Sequence, residues 1–106
     1  MSLDNIQNFW YNIAMIRSFK HKGLCNFYQT GSIKGIQAIH ERKLRLILGA
    51  LDSARSIDVL DIPMFRLHKL KGNMQHLYAI TVQANWRITF EFRGEDVYVV
   101  DYQDYH

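Results

Sequence analysis

Apolar residues recur along the first half of the chain at the spacing of one face of an α-helix. This pattern predicts a helix over residues 37–54, with a shorter helix over 23–29 that ends at Thr30 and Gly31. The buried stripe of the longer helix is expected to consist of Leu44, Ile47, Leu48 and Leu51. Before these helices, residues 15–19 are predicted to form an edge strand.

After Pro63 the period changes from about 3.6 to 2, which indicates strands joined by tight turns. An alternating segment at 65–70 precedes strands predicted over 77–82, 86–93 and 97–102. In the second of these, Trp86 and Ile88 lie in an apolar row, so Arg87 is expected on the opposite, cationic face. Short links favour antiparallel neighbours. The predicted fold class is α+β, with helices packed on one face of a twisted antiparallel sheet.

The chain length of 106 residues is that of one domain. Residues 1–14 are predicted to be an N-terminal extension, which is either an appended helix capped by Asp4 or residues upstream of the natural start. Residues 15–106 are predicted to form the domain itself. Hydrophobic residues make up 48% of the chain, enough for a packed core without metal or disulfides. Cys25 is the single cysteine and is interpreted as an inert buried thiol.

The distribution of charge along the chain is more informative about a binding surface than the net charge of +3. Residues 62–90 contain no Asp or Glu, yet they hold four cations, and this predicts an anion-facing surface. The alternative is a solvated basic face without a ligand. The cations are Arg66, Lys69, Lys71 and Arg87.

Two histidines sit in sequences that suit RNA cleavage, which needs a general acid, a general base and cations beside the phosphate. His68 precedes Lys71, and His106 ends the chain after Asp104 and Tyr105. Histidine suits both proton transfers because its ordinary pKa of about 6.5 leaves both protonation states accessible. Each residue also has an ordinary structural role open to it, such as a strand hydrogen bond or a surface ion pair.

The chain resembles the HigB branch of the RelE-type toxins through residues 15–19, 67–72, 80–90 and 104–106. The most specific parts are Trp86-Arg87-Ile88 and the final Asp104-Tyr105-His106. The resemblance implies a RelE-like domain over 15–106 and a bacterial toxin that cleaves messenger RNA in the ribosomal A site. It also implies neutralisation by a helix-turn-helix antitoxin, HigA. By position, the implied catalytic residues are His68, Lys71, Arg87, Asp104, Tyr105 and His106.

One segment of the chain differs from the pattern that is common in the family, and this difference indicates which subset the chain resembles. Many relatives carry Pro-Pro-Gly-Asn-Arg-Leu-Glu where this chain has residues 62–68, so it resembles the subset that bears a histidine at position 68. Arg66, Lys69 and His76 are added as predicted RNA-binding residues.

No cofactor and no metal site are expected, because no His or Cys grouping has zinc-site spacing. With no leader or membrane-length apolar run, a location in the bacterial cytoplasm is predicted. Two other functions stay open for the basic surface. One is a non-catalytic nucleic-acid-binding or regulatory module, and the other is a protein-interaction domain for an acidic partner.

Overall fold

The computed structural model describes residues 15–105. The predicted helix within 1–14 and the predicted catalytic His106 lie outside the described residues. Within 15–105 the chain forms two α-helices and four strands, together with short 3-10 helices at Ala38–His40, Ile57–Leu60 and Gly72–Met74. The elements are α1 (Lys22–Thr30), α2 (Glu41–Ser53), β1 (His68–Lys69), β2 (Tyr78–Gln83), β3 (Trp86–Arg93) and β4 (Asp96–Asp104).

Helix α1 has a cap at each end, which explains its short and definite extent. Nδ1 of His21 accepts a hydrogen bond of 2.9 Å from the backbone N–H of Leu24. At the other end Gly31 adopts a left-handed φ of 82°, and its N–H donates to the carbonyl of Phe27. The helix predicted over 23–29 is therefore confirmed.

Helix α2 begins directly after the 3-10 turn that ends at His40. The predicted apolar stripe is confirmed, since all four of its leucine and isoleucine side chains are buried. On the outer face Arg45 pairs with Glu41 one turn earlier, at 2.7 Å. The helix thus buries one face against the sheet and leaves the other in solvent.

The four strands form one antiparallel sheet in the order β1-β2-β3-β4, as the short links predicted. Ile88 in β3 is central, facing Ile80 of β2 and Tyr102 of β4 in the register. The turn between β2 and β3 places Ala84 at a positive φ of 51°. Every later strand is therefore a direct neighbour of the one before it.

Two predicted strands are less regular than expected. The segment at 65–70 contributes only the two residues of β1, because Arg66 adopts φ 49° and interrupts the extended backbone. Residues 15–19 do run along the free edge of β4, through two isolated parallel bridges at Ile16–Val97 and Phe19–Val100.

The core lies between the helices and one face of the sheet. Its members come from both layers and include Leu24, Phe27, Leu44, Ile47, Leu51, Phe65, Ile80, Ile88, Phe90 and Val100. Within the part of the chain that the structure describes, no helix is long and apolar enough to cross a membrane.

The expectation of an open cationic face opposite the core is wrong at the middle of β3. Arg87 is only 8% exposed and Thr89 only 1%. For Arg87 the reason is long-range, because Tyr105 and the segment that follows β1 lie around it, whereas Thr89 accepts a hydrogen bond from the neighbouring Gln103 of β4. Arg87 consequently lies at the bottom of a pocket instead of on an open surface.

Candidate active site

A pocket of about 330 Å³ joins three segments that are far apart in the chain. One wall comes from β1 and the turn after it, the floor from β3, and the other wall from the residue that follows β4. The lining residues are His68, Lys69, Leu70, Lys71, Met74, Arg87 and Tyr105. Four of the six predicted catalytic residues, His68, Lys71, Arg87 and Tyr105, therefore line one pocket.

Arg87 is held at the centre of the sheet, between Thr81 of β2 and Gln103 of β4 in the register. Its Nε is buried without a hydrogen-bond partner, and Arg87 forms no ion pair within residues 15–105. Burying a cation without a counter-charge costs free energy, which a bound anion can offset. The floor of the pocket is thus suited to a phosphate group.

Tyr105 covers this cation. Its backbone N–H donates to the carbonyl of Asn85 at 2.7 Å, and its ring centroid lies 4.0 Å from the Arg87 guanidinium carbon. That is within the range of a cation–π contact. Tyr105 is 57% exposed and lines the pocket, so part of it is accessible to a ligand.

His68 is exposed at the rim, and its hydrogen bond determines which ring nitrogen is available. Nδ1 lies 2.9 Å from the carbonyl oxygen of Arg66. A carbonyl can only accept, so Nδ1 carries the proton and donates it. In the neutral ring Nε2 then has its lone pair available for proton transfer.

The remaining predicted residues are distributed unevenly around the pocket. Lys69 and Lys71 are exposed and line it, and Nζ of Lys69 also lies 5.5 Å from the centre of the Tyr78 ring. Arg66 and His76 are exposed but are not among the lining residues. Asp104 is exposed, pairs with Trp86 in the sheet register and is not a lining residue either.

The pocket also contains two apolar residues that were not predicted. Leu70 and Met74 form part of the wall next to Lys71. Their apolar side chains carry no chemical signal in the sequence, and their place depends on the 3-10 turn Gly72–Met74. A wall of this kind can pack against the face of a nucleobase.

Histidine, lysine, arginine and tyrosine side chains around a space of this size can bind a phosphodiester and move protons beside it. Within residues 15–105 there is no group of three or more His, Cys, Asp or Glu side chains that could hold a metal ion.

Comparison with known proteins found a matching family and a similar curated protein. The model of a family described as RelE-like toxin of type II toxin-antitoxin system HigB matches residues 17–106. A curated relative, "Endoribonuclease HigB" of Proteus vulgaris, is 44% identical over 92 residues. That alignment covers 87% of this chain and 100% of the relative.

Proposed function

This chain belongs to the RelE-like HigB toxins of type II toxin–antitoxin systems, and we propose that it is an endoribonuclease that cleaves messenger RNA in the ribosomal A site. The observation that carries the proposal is the buried Nε of Arg87, which has no hydrogen-bond partner within residues 15–105, in a pocket shared with His68 and Lys71. A relative that aligns over most of the chain bears the name endoribonuclease.

The proposed reaction uses the 2′-hydroxyl of the RNA as its nucleophile. A base removes the 2′ proton, the 2′ oxygen forms a bond to the adjacent phosphorus, and the bond from phosphorus to the 5′ oxygen breaks. An acid then protonates the departing 5′ oxygen. The products are a 2′,3′-cyclic phosphate and a free 5′-hydroxyl, and the reaction needs only side-chain groups.

Arg87 and Lys71 are assigned to the phosphate, where their charges stabilise the negative charge that develops in the transition state. Arginine is suited to this task because its planar guanidinium can donate two parallel hydrogen bonds. Tyr105 holds Arg87 in place and offers its exposed ring to a base.

The two proton transfers are assigned to His68 and His106, with Asp104 orienting a neighbouring group. Support for His68 comes from its free Nε2, which follows from the bond between Nδ1 and the Arg66 carbonyl. His106 is the residue directly after Tyr105 in the sequence.

Dependence on the ribosome is proposed because a pocket of about 330 Å³ is small compared with an RNA strand. In-line attack requires the 2′ oxygen, the phosphorus and the 5′ oxygen to align, and an external scaffold can hold that alignment. Such a toxin acts in the bacterial cytoplasm, where translating ribosomes are found.

The family is that of a toxin with a cognate antitoxin. The proposed antitoxin is a HigA-type helix-turn-helix protein. Copurification of a tagged toxin with the product of its neighbouring gene tests this assignment, and recovery of an antitoxin without a helix-turn-helix domain would overturn it.

The central test is cleavage of messenger RNA by the purified protein, with and without ribosomes. We expect cleavage that requires ribosomes and is lost in His68→Ala, His106→Ala and Arg87→Ala. Equal cleavage of free RNA would overturn the scaffold role. Growth inhibition that persists in both histidine variants would instead identify a non-catalytic nucleic-acid-binding module.

A further inference from the structure

His40 occupies a buried position between α2 and the end of the sheet, and none of the chemistry above uses it. His40 is only 2% exposed. Its ring makes edge contacts with the rings of Trp86 and Tyr102, with centroids 5.5 and 6.0 Å away. A polar ring in this environment needs partners for both nitrogens.

Both nitrogens have partners. Nε2 lies 2.9 Å from the side-chain oxygen of Gln83, and Nδ1 lies 2.7 Å from the hydroxyl of Tyr102. Because the Gln83 oxygen only accepts, Nε2 donates, and Nδ1 of the neutral ring accepts from the Tyr102 hydroxyl. That hydroxyl in turn accepts from the backbone N–H of Gln37 at 3.3 Å. The four groups form one continuous chain of hydrogen bonds.

This chain ties the start of α2 to the strand ends that carry the pocket. Gln83 ends β2 and faces Trp86, which directly precedes Arg87. Tyr102 faces Ile88, which directly follows Arg87. Alternate residues of a strand point to opposite faces, so the His40 bonds act on the helix side, behind Arg87.

The same bonds affect the other wall of the pocket. Tyr102 lies three residues before Tyr105, and its ring centroid is 4.6 Å from that of Trp86. Asn85, which anchors the N–H of Tyr105, lies in the turn between Gln83 and Trp86. A change at His40 therefore reaches both partners of the Arg87–Tyr105 contact.

Arg87 is sensitive to such a change because no ion pair from residues 15–105 holds its guanidinium. Its position depends on the backbone of β3 and on the ring of Tyr105. A displacement of about 1 Å in a catalytic group can lower a rate by on the order of 10².

We infer that His40 is a positioning residue for RNA cleavage, which links α2 to the β2–β3 turn and the end of β4 and so fixes Arg87 and Tyr105 in the pocket. The inference rests on the proposed function, since it concerns the rate of the same reaction. His40 would thus affect the rate of cleavage through Arg87 and Tyr105, without contacting the RNA itself.

The test compares His40→Phe and Tyr102→Phe with the wild type in the ribosome-dependent cleavage assay. Each variant keeps an aromatic ring and removes one link of the hydrogen-bond chain. We expect kcat to fall roughly tenfold to a hundredfold in each, with KM within about a factor of two. The double variant should be no slower than the slower single variant, because both act through one chain.

A control variant in the core of α2 distinguishes the positioning role from a general loss of stability. Ile47→Val removes one buried methylene and so lowers stability without touching the hydrogen-bond chain. It should leave kcat unchanged while the protein remains folded. The chain has two tryptophans, Trp10 and Trp86, and replacing Trp10 with Phe leaves Trp86 as the one tryptophan reporter. In this background, the fluorescence of Trp86 should change in His40→Phe and Tyr102→Phe but not in Ile47→Val.

The outcomes are distinct. If His40→Phe does not fold, Tyr102→Phe decides the question alone. A folded variant with the wild-type kcat overturns the role of His40 but leaves the proposed function intact. A wild-type protein that does not cleave RNA overturns the proposed function and the positioning role together.

Discussion

The guanidinium carbon of Arg87 lies 4.0 Å from the centroid of the Tyr105 ring. The contact joins the middle of the sheet to the last residue that the structure describes. It joins Arg87, which is only 8% exposed, to Tyr105, which is 57% exposed. A residue near the chain end therefore has a definite position, set by this ring contact and by the bond from its N–H to Asn85.

Arg87→Met is expected to stabilise the protein while strongly reducing cleavage. The substitution removes a buried charge that has no ion-pair partner within residues 15–105 and retains a side chain of similar length. We expect the free energy of unfolding to rise by about 1 kcal/mol in urea titrations and kcat to fall by at least about 10².

The matched control is Arg93→Met on the same strand. Arg93 is exposed and pairs with Glu91 at 2.7 Å, so its removal should change stability by less than about 0.5 kcal/mol. A clear loss of stability in Arg87→Met would show that the native protein compensates this charge.

The helices and strands could be predicted because their signals are local. The stripe of Leu44, Ile47, Leu48 and Leu51 repeats at the helical period within one element, and Gly31 marks the end of α1. Alternation likewise identified β3 and β4. These patterns record which face of an element is buried, whatever covers it.

The pocket could be predicted only in part, because its form depends on contacts between distant segments. Family resemblance identified His68, Lys71, Arg87 and Tyr105, and the structure brings these four together. The alternation of β3 could not show that Arg87 is buried, since the cover comes from elsewhere in the chain. His40 gave no signal either, because its partner Tyr102 is 62 residues away.

The rate of cleavage should depend on the imidazole of His68. Nδ1 is held by the Arg66 carbonyl, which leaves Nε2 available to exchange a proton with the RNA in the proposed reaction. His68→Ala should lower kcat/KM by roughly 10² to 10⁴ in the ribosome-dependent cleavage assay. A variant that retains the wild-type kcat/KM would exclude His68 as the acid or the base.

Lys69 should contribute one phosphate contact to RNA binding. It is exposed and lines the pocket, so a backbone phosphate can reach it. Lys69→Gln should reduce the slope of log K against log salt by about 0.7 for single-stranded RNA, measured by fluorescence anisotropy. Lys34→Gln is the matched control, because Lys34 is an exposed loop lysine outside the pocket. Equal slopes for the two variants would remove Lys69 from the interface.

Tyr102 makes stability sensitive to alkaline pH. Burial raises the pKa of its hydroxyl above the ordinary 10.0, and the hydrogen bond from Gln37 opposes this only partly. The folded state therefore retains a proton that the unfolded chain releases. This contribution is fully present below pH 10.0 and is lost as the pH rises through the raised pKa.

Urea titrations at increasing pH measure this effect. We expect the wild type to lose stability more steeply than Tyr102→Phe above pH 10.0, since the variant has no hydroxyl to ionise at that position. Parallel curves for the two proteins would show that the phenolate is accommodated in the folded state.

Val99 is expected to be a strained position whose replacement stabilises the protein. It adopts φ 50°, in the left-handed region that a β-branched residue disfavours by roughly 1 to 2 kcal/mol. The residue lies in the irregularity of β4 between the pairs Glu91–Tyr98 and Thr89–Asp101. Its side chain is 39% exposed and its N–H is bonded to the Ser18 hydroxyl, so the backbone is held while the side chain contributes little packing.

Asparagine tolerates this conformation, and Val99→Asn should therefore raise the free energy of unfolding by about 1 kcal/mol. Cleavage should be unchanged, because Val99 is not among the pocket residues. Val59→Asn is the control, since Val59 is also exposed, at 56%, but has no positive φ. Removing an exposed valine there relieves no strain, so its stability should not rise. Equal changes in both variants would assign the gain to the exposed amide side chain instead of to the relief of backbone strain.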